Sequence, residues 1–174
     1  PTEEERAQPY LWRFWRHLPR AGRVTVYDRS WYGRVLVERL EGFCRDDEWR
    51  RAYTELNDFE AQLTEHGIIV LKFWLHISKD EQRIRLQERL DDPNKHWKFA
   101  AGDLEVRKQW DPYQQAYQDA IAATGTPWAP WTVVPADSKT HRNLMIAQAV
   151  VQTLQGLKLR YPPGSPELAH IRVE

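Results

Sequence analysis

The apolar positions near the start of the chain keep a helical rhythm. Tyr10, Leu11, Phe14, Trp15 and Leu18 recur at spacings of three and four, which predicts an amphipathic helix over residues 3–18. Thr2-Glu3-Glu4-Glu5 reads as its capping box and Pro19 as its stop. The rhythm then changes. Val24-Thr25-Val26-Tyr27 is a β-branched and aromatic run between Gly22 and Asp28, so a buried strand is expected over 24–27. Helical spacing returns over 32–44, with Val35, Leu36, Leu40 and Phe43 on one side. It continues over 46–66, where Trp49, Tyr53, Leu56, Phe59 and Leu63 share a face before Gly67 ends the helix.

Residues 68–77 are apolar on both faces, the pattern of a strand in a parallel sheet covered by helices. Ser78-Lys79-Asp80-Glu81 forms a second capping box and opens a charged helix to residue 90. Residues 91–102 hold Pro93, two Lys, two Asp and Trp97, the composition of a loop or short helical turns. A helix over 103–123 follows, marked by Trp110, Tyr113 and Tyr117. Pro127, Pro130 and Pro135 frame a third strand over 131–134, a last helix covers 140–158, and 159–174 reads as a Pro-rich tail. Alternation of this kind predicts an α/β fold with a parallel sheet and right-handed crossovers. Three strands make a thin sheet for so many helices.

Composition narrows the class. At 174 residues the chain fits one domain, and its single cysteine, Cys44, excludes an internal disulfide or a thiolate zinc site. Hydrophobic residues at 41% and charged residues at 29% are globular proportions. The longest apolar run, 68–77, is interrupted by Lys72 and His76 and falls short of the roughly 18 residues a membrane span needs. No signal-like segment opens the chain, so a cytoplasmic location and no membrane partner are expected. It begins at Pro1 rather than Met, which suggests a piece of something longer. The formal net charge of zero argues against general nucleic-acid binding. Of 25 basic residues 18 are Arg. That bias suits planar contacts to phosphate, and equally a solvated arginine-rich surface.

The sharpest chemical signal is Asp28, set directly after the 24–27 run and followed by Arg29 and Arg34. An acid at the carboxyl end of a strand occupies the edge where α/β proteins bind ligands. There it can help hold the magnesium that bridges phosphates, with the two arginines as clamps. Residues 12–39 carry seven Arg against only Asp28 and Glu38, a local excess of positive charge. An Asp in this place also commonly forms a turn or a helix cap. Lys95 and Lys98 flank Trp97, with Arg107 beyond, and could close over a polyanion as a lid. A solvated loop with Trp97 tucked inward explains the same residues. The remaining tryptophans read as core, and neither the histidines nor Cys44 show ligand spacing.

Leu11-Trp12-Arg13-Phe14-Trp15 and Tyr27-Asp28-Arg29-Ser30-Trp31-Tyr32-Gly33-Arg34-Val35-Leu36-Val37-Glu38-Arg39 resemble the type 2 polyphosphate kinase family. The resemblance continues through Asn57-Asp58-Phe59-Glu60, Lys72-Phe73-Trp74-Leu75-His76-Ile77-Ser78, Asp92-Pro93 with Lys95, Trp97 and Lys98, then Arg107, Trp110, Tyr113 and Ala129-Pro130-Trp131. It covers about residues 1–150. It implies a P-loop kinase-like three-layer fold with a helical lid over about 91–123. It implies magnesium-dependent transfer between inorganic polyphosphate and a nucleotide. Trp31-Tyr32-Gly33-Arg34 is most similar to the branch that turns AMP into ADP. Carried over, Asp28 is the Walker B acid and metal ligand, Arg29 and Arg34 lie at the phosphates with Glu38 beside the substrate, and Lys95, Lys98 and Arg107 belong to the lid. A homo-oligomer is expected for the full-length protein.

Two departures qualify this. No glycine precedes a lysine, so the family's Walker A loop is absent from these residues. The expectation is therefore a partial kinase domain over 1–158 that lacks the first two strands, including the one between 24–27 and 68–77. Alone, it is expected to be inactive. Ala100-Ala101-Gly102 also stands where the family more often has Ser or Thr. The alternatives are an ATP-dependent nucleoside monophosphate kinase and a non-catalytic module that binds polyphosphate or nucleic acid.

Overall fold

The computed structural model describes residues 1–166 and 172. Eight α-helices and two strands are found among them: α1 Glu3–Arg6, α2 Trp12–Trp15, α3 Val37–Leu40, α4 Asp46–Glu65, β1 Lys72–His76, α5 Lys79–Asp91, α6 Gly102–Lys108, α7 Trp110–Thr124, β2 Trp131–Pro135 and α8 Lys139–Gly156. Trp31–Arg34 and Pro93–Lys98 are 3-10 helices. β1 and β2 pair as a small parallel sheet, so the fold is α/β and mostly helical. No helix of the described residues is long and apolar enough to cross a membrane.

The chain divides into two compact units, Pro1–Trp74 with Ser78–Thr132, and Leu75–Ile77 with Val133–Glu174. In the first, α4 is the backbone of the core. Its Ala52, Leu56, Phe59 and Leu63 recur every three or four residues and are buried together with Trp31, Tyr32, Val35 and Leu36. Ala116 and Ala120 of α7 complete this core, their small side chains letting α7 approach α4 closely. Gly67, at φ +81°, takes the left-handed conformation that ends α4 without the Cβ penalty. In the second unit α8 is capped by Ser138, whose hydroxyl accepts from the His141 N–H.

Several expectations require correction. The helix over 3–18 is two short helices, because Pro9 has no N–H to donate and restricts the residue before it. The Thr2 box does form, Glu5 N–H donating to Thr2 Oγ1 at 3.2 Å and Thr2 N–H to Glu5 Oε2 at 2.8 Å. No strand forms over 24–27. Val24 and Val26 are 81% and 87% exposed, and an extended segment needs a ladder partner to become a strand. The sheet accordingly has two strands among the described residues rather than three.

The helix over 32–44 resolves into the 31–34 turn and α3, divided at Leu36, whose φ of −111° and ψ of −91° are not helical. Phe43, expected on the apolar side, is exposed, because Gly42 at φ +68° turns the chain away. β1 is shorter than 68–77. Ile68 and Val70 pack on the core before it begins. The helix over 103–123 breaks at Gln109, leaving α6 and α7. Of the tail, residues 167–171, 173 and 174 lie outside the described residues.

Candidate active site

The 31–34 turn is held from beneath by charge buried in an apolar core. Glu60 lies on the buried face of α4 and Lys72 opens β1, with side chains 0% and 4% exposed. Lys72 Nζ is 2.7 Å from Glu60 Oε2, 3.0 Å from the Tyr32 hydroxyl and 2.7 Å from the Thr124 carbonyl, so its three protons all have acceptors. Glu60 Oε1 accepts from the Trp31 indole at 2.9 Å and from the Tyr32 hydroxyl at 2.7 Å. Burial still presses the Lys72 pKa downward, against the pull of Glu60. Burial and the Glu60 carboxylate together raise that of Tyr32, which stays protonated.

Aromatic contacts hold the same turn from the sides. Trp31 meets Phe59 edge-on at 5.1 Å and Tyr27 at 5.2 Å, while Tyr32 meets Trp131 at 4.6 Å. Contacts of this kind contribute about 0.5–1.5 kcal/mol each beyond burial. The turn that presents Arg34 is therefore rigidly supported.

Above it, four polar side chains meet. Glu38, four residues after Arg34, forms an ion pair with it, Oε2 lying 3.2 Å from Arg34 Nε, and accepts from Arg13 Nη2 through Oε1 at 3.0 Å. Both guanidinium groups lie over the Tyr10 ring, at 4.4 Å for Arg13 and 4.2 Å for Arg34. Arg13 Nε is buried with no hydrogen-bond partner. The group carries two cations against one carboxylate, an electropositive cluster suited to an anionic ligand.

Asp28 and Arg29 lie at an exposed bend before the turn. Arg29 has φ +62°, a left-handed conformation that costs an ordinary side chain about 1–2 kcal/mol and turns the chain sharply after the acid. Its charge reaches α7, where it opposes the upward shift of Tyr113 and Tyr117. Tyr113 is nevertheless pushed up to about 12, first by burial and then by its hydrogen bond to Glu41.

The segment read as a lid is three pieces. Lys95, in the 93–98 helix, pairs with Asp92 at 3.3 Å, and Lys98 lies 4.9 Å from the Trp97 ring. Trp97 is exposed, so its tucking inward is not seen. Arg107 of α6 donates to the Lys79 carbonyl at 2.7 Å and to Gln82 Oε1 at 2.8 Å, fastening α6 to the start of α5. The third piece, α7, is built into the core through Ala116 and Ala120.

The structure thus brings together Arg34 and Glu38 among the residues singled out from sequence, and gives Lys95, Lys98 and Arg107 local partners of their own. Sequence reasoning gave no role to Tyr10, Arg13, Glu60 or Lys72. A signal existed for two of them: Glu60 falls in the helical phase of Leu56 and Leu63, and Lys72 interrupts an apolar run. A charge at an otherwise buried position points to a partner.

Comparison with known proteins shows the family. Residues 1–161 match the family described as Polyphosphate kinase 2 (PPK2). The AMP/ADP-polyphosphate phosphotransferase of Meiothermus ruber is 47% identical over 99% of this chain and 64% of its own length. A Polyphosphate:AMP phosphotransferase of Pseudomonas aeruginosa is 52% identical over 89% of this chain and 31% of its own. The solved structure of Polyphosphate Kinase 2 from Arthrobacter aurescens superposes with a TM-score of 0.91 at 46% identity, over 94% of this chain and 58% of that one. The chain spans between about a third and two thirds of the length of these relatives. With one family matched across most of its residues and relatives at about half identity, the chain belongs to the polyphosphate kinase 2 family.

Proposed function

We propose that this chain is the part of a polyphosphate:AMP phosphotransferase that binds and orients the phosphates, and that transfer runs in line from the polyphosphate end to AMP, giving ADP. The observation that carries this is the supported 31–34 turn, which holds Arg34 beside Glu38 and Arg13 immediately after the exposed pair Asp28 and Arg29. Relatives named for AMP as acceptor favour the same chemistry.

In this reading Arg29 and Arg34 neutralise and orient phosphate oxygens, and Glu38 keeps Arg34 in its rotamer. Lys95, Lys98 and Arg107, on the 93–98 helix and α6, cover the polyphosphate and exclude water. The attacking group is an oxygen of the acceptor phosphate, so no side chain need form a covalent bond. Magnesium fits Asp28 as the donor set stands. Among the described residues no three His, Cys, Asp or Glu side chains gather to hold a metal. A magnesium ion keeps several waters and takes phosphate oxygens, so one exposed carboxylate suffices for the protein's share. When bound it supplies charge neutralisation on the transferring group.

The finer fold belongs to the same proposal. In a longer chain residues 24–27, unpaired here, would become a strand of a P-loop kinase-like sheet by pairing with a neighbour outside residues 1–174, which fits the exposure of Val24 and Val26. The test compares this chain with a version extended upstream, each given magnesium, AMP and polyphosphate, and then ATP in place of polyphosphate. ADP from the extended chain with polyphosphate alone is the expected result. Activity with ATP alone would make it an ordinary nucleoside monophosphate kinase. No ADP from a folded extended chain would leave a binding module. ADP from the short chain would refute the missing-strand argument.

A further inference from the structure

Tyr10 touches Arg34 twice, by two different kinds of contact. Its hydroxyl donates to the Trp31 carbonyl at 2.8 Å and accepts from the Arg34 N–H at 2.9 Å, closing the 31–34 turn from outside. Its ring carries the guanidinium of Arg34 at 4.2 Å and that of Arg13 at 4.4 Å. Both arginines end on the two oxygens of one carboxylate, Glu38. Two guanidinium groups converging on one anion repel each other, and a quadrupolar ring face offsets part of that repulsion. Phe14 packs on Tyr10 at 5.6 Å and also on Trp31, so the tyrosine cannot swing away from the turn.

We propose that Tyr10 is a positioning residue for Arg34, fixing its backbone through the hydroxyl and its guanidinium through the ring. The proposal rests on Arg34 being a phosphate-binding residue, as argued above. Arg13 enters as the counterweight. It shares Glu38 with Arg34 and leaves the second guanidinium only partly neutralised for an incoming phosphate.

Three variants separate the possibilities in whichever of the two forms above makes ADP. Arg34→Ala sets the reference by showing which phosphate substrate has its KM raised. Tyr10→Leu, which removes ring face and hydroxyl, is expected to raise that same KM about tenfold. Tyr10→Phe keeps the ring and is expected to raise it only about threefold. A merely structural tyrosine would lower the folded fraction, and with it the apparent kcat, while leaving KM in place. Thermal unfolding of each variant supplies the folded fraction. A folded Tyr10→Leu with unchanged KM, beside an Arg34→Ala with raised KM, overturns the proposal alone. Should Tyr10→Leu fail to fold, Tyr10→Phe decides: an unchanged KM overturns it and a raised one supports it. If Arg34→Ala is harmless, or neither form makes ADP, the reading of Arg34 falls and the role of Tyr10 falls with it.

Discussion

Lys72→Met is expected to lower the free energy of unfolding by about 3–5 kcal/mol, read as a shift of the urea midpoint. Domains of this size have only about 5–15 kcal/mol in all, so the variant loses a large share of its stability. The cause is not the lost attraction by itself. Methionine fills much of the volume, but Glu60 is left fully buried with its carboxylate facing Trp31 and Tyr32 and no cation. The Thr124 carbonyl also loses its lysine donor. Changing both members, as in Glu60→Leu with Lys72→Met, removes the stranded charge, and much of the loss should return. If the single and double variants unfold at the same midpoint as the parent, the pair is not coupled in the core.

Asp28→Asn is expected to leave the fold intact and to cost on the order of a hundredfold or more in ADP formation. The residue lies at an exposed bend, and exposed substitutions typically change stability by about 0.5 kcal/mol or less. Asparagine keeps the shape of the side chain and removes only its charge. The measurement is turnover against magnesium concentration, beside thermal unfolding of the same samples. Near-normal turnover would take Asp28 out of the phosphate site and leave the arginines to be explained separately.

How far the sequence could be read depended on whether a segment's partner lay within the chain. α4 carries an apolar period and the Gly67 stop, α5 the Ser78 cap, and these two helices and α8 form within one or two residues of the expected ends. Residues 24–27 have the composition of a strand, yet a strand is a property of two segments and composition speaks for only one. The 3–18 helix failed locally, at Pro9, where apolar periodicity outweighed a visible breaker. At the site, motif order indicated Arg34 and Glu38 but not what holds them. Tyr10 and Arg13 lie more than twenty residues earlier, and only the folded chain shows that Arg13 ends on the Glu38 carboxylate and Tyr10 on the 31–34 turn.

The uncovered stretch before Asp28 also determines how the molecule would meet a protease. Arg20 to Val26 are exposed and outside any helix or strand, with Arg20 and Arg23 open to a trypsin-like enzyme. A single cut there would divide the backbone without dividing the molecule. The small N-terminal piece would stay clamped to the large one through the Tyr10 hydroxyl, the Arg13–Glu38 bridge and the Phe14 carbonyl that accepts from Tyr27. Cleaved material would then travel as one particle in a native column and as two bands under denaturing conditions.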